Sequence, residues 1–91
     1  MKKAMMTSQL RKAGFGVYAE KAYSGFKQCV NVYFNKEESD EGCEPAFVLN
    51  YDSKDSWIIM NCYGTTESSG FRCSTEEIIE ELIIWKNVYM R

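Results

Sequence analysis

Residues 15–34 read as two strand-like segments whose side chains sort onto two faces with a two-residue period about Ser24-Gly25, at the centre of the run. A Ser-Gly pair supplies the positive φ that a tight hairpin turn needs, so the stretch predicts one antiparallel hairpin closed between Tyr23 and Phe26. Counting outward sets Ala19 opposite Val30, Val17 opposite Val32 and Phe15 opposite Phe34. On the other face Tyr18 meets Asn31 and Glu20 meets Cys29. A slip of one residue would mix these sets, so the clean sorting supports the pairing.

Residues 47–51 and 57–63 repeat the strand signature, with apolar side chains on both faces, which suits a central or doubly covered position. Asp52 to Ser56 joins them with short polar side chains that bond to nearby backbone and favour turns. Two registers are open, one pairing Leu49 with Ile58 and one pairing Leu49 with Ile59. The period changes at the end of the chain. Ser74-Thr75-Glu76-Glu77 reads as a capping box before an apolar run, predicting a helix from Thr75 to about Met90. At about 100° per residue Ile78, Leu82, Trp85 and Tyr89 form one stripe, widened by Ile79 and Ile83, while Ile84 falls on the far side. A short helix capped by Thr7 or Ser8 and ended by Gly14 or Gly16 precedes the hairpin.

The stretches between these elements are polar. Residues 35–45 hold five acids, Glu37, Glu38, Asp40, Glu41 and Glu44, against one lysine, closed by Pro45, and predict an exposed loop. Residues 64–70 predict a second loop bounded by glycines, with Phe71 and Cys73 docking beside the start of the last helix. The expected fold is one α+β domain over residues 1–91. Its sheet has four mainly antiparallel strands in two hairpins, with a short N-terminal helix and a longer amphipathic C-terminal one.

Length, at 91 residues, leaves room for one core only. No apolar run follows Met1-Lys2-Lys3 in the manner of a signal peptide and none reaches membrane-spanning length, so a soluble, cytoplasmic protein is expected. In that compartment Cys29, Cys43, Cys62 and Cys73 are expected as free, mostly buried thiols. Their wide spacing argues against a zinc site, which usually takes ligands in close pairs. The net charge of -2 hides an asymmetry. Lys2, Lys3, Arg11 and Lys12 stand in the first twelve residues without an acid, leaving the body of the chain at about -6.

The chain contains no histidine, which removes the commonest general base and the usual activator of serine or cysteine nucleophiles. Neither a P-loop nor a dinucleotide fingerprint occurs. Cys73, beside Arg72 at the start of the last helix, is the best candidate for a lowered thiol pKa. A non-enzymatic protein without cofactor or metal is therefore expected. The leading candidate surface is the acidic segment Glu37, Glu38, Asp40, Glu41 and Glu44 with the exposed aromatics Tyr18 and Tyr33. Such a surface suits a larger partner with a basic groove, including one that normally holds nucleic acid. The alternative is a single-stranded nucleic-acid accessory using Tyr18, Tyr33, Lys21 and Lys27, against which the acidic body counts. Ile84 and Val88, or an unpaired sheet edge, offer a second contact or a homodimer interface. In size and composition the chain resembles many phage-encoded inhibitors and anti-defence proteins, a likeness that implies an inhibitor or adaptor without assigning any residue a role.

Overall fold

The structure, a computed structural model, describes residues 3–20, 28–52 and 56–90. Helix α1 (Lys3–Lys12) leads into strands β1 (Gly16–Glu20) and β2 (Gln28–Tyr33), followed by a short helix α2 (Lys36–Asp40). Strands β3 (Phe47–Tyr51), β4 (Trp57–Asn61) and β5 (Thr66–Gly70) precede helix α3 (Thr75–Tyr89). The strands form one antiparallel sheet in the order β1-β2-β3-β4-β5. The α+β fold is as expected, but the sheet has a fifth strand where residues 64–70 predicted a loop.

The β1–β2 register is the one counted from the sequence, with Val17 opposite Val32, Tyr18 opposite Asn31 and Ala19 opposite Val30. The Ser24-Gly25 turn itself lies outside the described residues. In the second hairpin Leu49 pairs with Ile59, and the Asp52 N–H donates to the Ser56 carbonyl at 2.7 Å. Of the two registers open in the sequence, this one sends Leu49 and Ile59 into the core together.

Because side chains alternate, these registers divide the sheet into two unlike faces. Val17, Val30, Val32, Phe47, Leu49, Tyr51, Trp57 and Ile59 share one face, and all are buried. Met6 and Leu10 of α1 and Ile78 and Leu82 of α3 complete that core, each fully buried. Each such aliphatic side chain contributes roughly 1.5–3 kcal/mol through burial, enough to hold helices that would not persist alone. Tyr51, whose pKa burial pushes up, keeps its hydroxyl satisfied by donating to Gln28 Oε1 at 3.1 Å.

Helix α1 begins earlier than the capping residues suggested. Thr7 lies inside it, buried, and its hydroxyl turns back to the Ala4 carbonyl at 3.0 Å. Gly14, at φ +97, ends the helix: its N–H donates to the Arg11 carbonyl and that of Phe15 to the Leu10 carbonyl. This left-handed cap turns the chain back so that Phe15 packs near Leu10 in the core. Helix α3 starts as the capping box predicts, with Ser74 Oγ accepting from the Glu77 N–H.

Strand β5 is polar enough to pass for a loop, yet it is held from three directions. Trp57 lies across Gly70, where a Cβ would come within 2.7 Å of the indole, and its Nε1 donates to the Arg72 carbonyl at 3.1 Å. A bulge between β4 and β5 leaves Glu67 as the extra residue. It accepts from Asn61 Nδ2 at 2.7 Å and from the Tyr89 hydroxyl at 2.6 Å, while Ser68 donates to Glu81 at 2.9 Å. Strand β5 is thereby tied to α3 through hydrogen bonds in place of apolar packing. Phe71, expected to dock here, is instead 84% exposed; Cys73 does pack against the core.

Candidate protein-interaction site

The acidic segment contains a helix where the sequence predicted a loop. Asn35, in extended backbone, caps it by accepting from the Glu38 N–H at 2.9 Å. Gly42, at φ +72, closes it in the manner of Gly14. Its N–H donates to the Ser39 carbonyl and that of Cys43 to the Glu38 carbonyl. Five residues are too few to be helical on propensity alone. What holds α2 is its contact with β1, on the face opposite α1 and α3. A Cβ at Gly16 would lie 2.3 Å from the Asn35 carbonyl oxygen and 2.8 Å from Ser39 Cβ, so α2 sits directly on the glycine backbone.

This anchoring fixes where the carboxylates point. Glu37, Asp40, Glu41 and Glu44 are exposed and Glu38 is half-buried. None of the five has an ion-pair partner among the described residues; the Cys43 thiol reaches the Glu41 carboxylate at 4.0 Å. Glu37 and Glu38 suit the positive end of the helix, but Asp40 and Glu41 stand at its negative end, where acids oppose the backbone dipole. The last two carboxylates therefore weaken the helix that carries them.

The two tyrosines part company. Tyr18, one step along the same sheet face from Gly16, is 58% exposed, whereas Tyr33, paired with Gly16, is 7% exposed. Tyr33 is thus a buried support and not the exposed anchor expected, since the segment after the hairpin folds as α2 against β1 and β2 and is not an open loop. Lys21 and Lys27, which the nucleic-acid alternative requires, lie outside the described residues. Ile84 and Val88 are half-exposed on the outer side of α3, in the helix layer and hence across the sheet from α2. The acidic segment and the α3 ridge form two separate surfaces.

The cysteines differ from expectation in burial. All four are free, but Cys29 alone is buried; Cys43 and Cys62 are exposed and Cys73 is intermediate. Burial, assisted by Asp52, pushes the Cys73 thiol pKa up. The thiolate that its place before α3 suggested is disfavoured. No group of three or more potential metal ligands occurs among the described residues. No helix among them is long and apolar enough to cross a membrane.

Two features had weak signals in the sequence. Asn35 three residues before Glu38, and Gly42 after Glu41, are the start and stop marks of α2, masked by the density of acids around them. The tight approach at Gly16 has no local signal at all. No protein-family model, curated protein or solved structure matches this chain.

Proposed function

We propose that this chain is a non-enzymatic protein-binding module, an inhibitor or adaptor in the manner of phage anti-defence proteins, that engages a larger partner with a basic surface through α2. The supporting observation is the placement of Glu37, Asp40, Glu41 and Glu44, exposed and without ion pairs among the described residues, on and just after a helix seated against β1 beside exposed Tyr18. Seating a charged segment in advance lowers the ordering cost of binding. Aligned negative charge raises the encounter rate with a basic groove and selects against acidic surfaces. Tyr18 supplies the apolar contact that charge alone lacks. Asp40 and Glu41 fit this reading, since their position is unfavourable for helix stability and has use only if something else meets them.

The test is affinity capture from a host lysate with wild type beside a variant carrying Glu37→Lys, Glu41→Lys and Glu44→Lys. Bound protein and nucleic acid are both identified, and thermal melts confirm that the variant is folded. One dominant protein that is retained by wild type, released by salt and lost from the folded variant is the expected result. Equal recovery by both would remove α2 from the interface, and recovery of nucleic acid alone would overturn the class of partner.

A further inference from the structure

The start of β1 is flanked by α1 from one sheet face and α2 from the other, and between them lies a cleft of about 420 Å³. Arg11, Lys36, Ser39 and Asp40 stand around it, over a floor formed by Gly14, Phe15 and Gly16. Gly14 contributes open space, since a Cβ there would meet nothing within 4 Å. Lys86 of α3 places Nζ 5.0 Å from the centre of the Phe15 ring but does not itself line the cleft.

In a chain of net charge -2 this convergence runs against the average. Arg11 and Lys36 come from two separate elements, and neither has an ion-pair partner among the described residues. The Arg11 guanidinium has only a long bond, 3.5 Å, to the Val17 carbonyl. That contact uses one of its five donors and holds the group at the cleft without neutralising it. Asp40 lines the same cleft and is not paired with either cation, so an acceptor and two donors remain available to one ligand.

We infer that this cleft is a binding site for a small phosphomonoester that also carries a hydroxyl group. A dianionic phosphate matches a guanidinium fork and an ammonium better than a single carboxylate does, because three oxygens meet donors of both geometries. Asp40 repels a bare anion but accepts from a hydroxyl beside it, and Ser39 adds a short polar contact. The volume lies within the range of small-molecule sites. Asp40 is shared with the protein-binding reading, but Glu37, Glu41 and Glu44, which carry the rest of it and are the residues reversed in its test, do not line the cleft.

The probes are inorganic phosphate, glycerol 3-phosphate and glycerol, titrated calorimetrically into the full chain at low salt, with amide shifts recorded in parallel. Saturable binding of glycerol 3-phosphate, tighter than phosphate and with shifts at Gly14, Gly16 and Ser39, is expected. Arg11→Gln and Lys36→Gln should each weaken it by about tenfold or more, as loss of a charge-assisted bond predicts. Arg72→Gln, exposed before the start of α3 and equal in charge loss, should leave it unchanged. Asp40→Asn should erase the preference for glycerol 3-phosphate over phosphate while leaving phosphate binding intact or improved. Absence of saturable binding, equal weakening by Arg72→Gln, or a preference that survives Asp40→Asn would overturn the assignment. The Glu37, Glu41 and Glu44 reversal should retain phosphomonoester binding whether or not it abolishes partner capture.

Discussion

Replacing Gly16 with alanine tests the one contact on which the placement of α2 depends. The added methyl would lie 2.3 Å from the Asn35 carbonyl oxygen, where ordinary contact begins near 3.4 Å, so about 1 Å of separation must be found. The obstructing atom belongs to the backbone at the helix cap and cannot rotate aside as a side chain would. Overpacking of this kind costs roughly 1–3 kcal/mol, and the rigid neighbour places Gly16→Ala in the upper half, at about 2 kcal/mol. For a domain of this size that corresponds to a fall in Tm on the order of 10 °C. Urea unfolding followed by tryptophan fluorescence measures it, with Trp57 in the core as reporter. Gly42→Ala is the matched control. It has open space but a φ of +72, so its cost is conformational, roughly 1–2 kcal/mol, and local to the end of α2. The two variants also differ in where they act: Gly16→Ala should speed amide exchange throughout α2 and at Tyr33, while Gly42→Ala should affect residues near Cys43. A loss below about 0.5 kcal/mol for Gly16→Ala, with α2 exchange unchanged, would mean that α2 does not rest on β1, and the fixed acidic surface would go with it.

Other outcomes follow from the same contacts. Glu67→Ala removes the acceptor for both Asn61 and Tyr89 and should lower the urea midpoint; an unchanged midpoint would remove these two bonds from what holds β5 against α3. The bond to Glu67 raises the Tyr89 pKa, so its stabilisation is fully present below the ordinary tyrosine pKa of about 10 and is lost as pH rises through the higher folded value. The stability difference between wild type and Tyr89→Phe should hold constant to about pH 10 and shrink above it; a difference that stayed flat to pH 11 would remove the bond. Alkylation followed by mass spectrometry should label Cys43 and Cys62 first, Cys73 more slowly and Cys29 last. Preferential labelling of Cys73 near neutral pH would revive a reactive thiol at that position.

The parts of the fold written in periodicity were legible, and those written in approach distances were not. Val17, Val30 and Val32 declare a shared face through spacing alone, and Ser74 with Glu77 marks a helix start through a local bond; both are found as read. Strand β5 escaped because Thr66 to Gly70 carries no apolar alternation. Its stability comes from Trp57 lying over Gly70 and from polar bonds to α3, partners distant in sequence. Tyr33 was misplaced for the same kind of reason. Its side was correct, but its exposure depended on α2, whose footing on Gly16 is a meeting of two backbones that no spacing rule encodes. The cleft beside Arg11 is hidden likewise, since Arg11 and Lys36 are far apart in the chain and come together only where α1 and α2 flank β1.

The division of the sheet bears on how such a small domain could carry the proposed interaction surface without losing its fold. All of the apolar packing that secures α1 and α3 lies on one face, where Met6, Leu10, Ile78 and Leu82 close over the core. Helix α2 rests on the other face and contributes no buried residue of its own. Changes in its outward charges therefore leave the core untouched, and surface substitutions of this sort usually alter stability by no more than about 0.5 kcal/mol. Gly16 is the exception that makes the separation work, since it alone lets α2 approach closely enough to be held by backbone contact. A segment fixed by its footing and free in its side chains can change charge pattern, and with it partner, at little cost to the domain beneath. If the proposed binding through α2 holds, selection for binding acts on Glu37, Asp40, Glu41 and Glu44, while selection for folding acts on Gly16, Asn35 and Gly42.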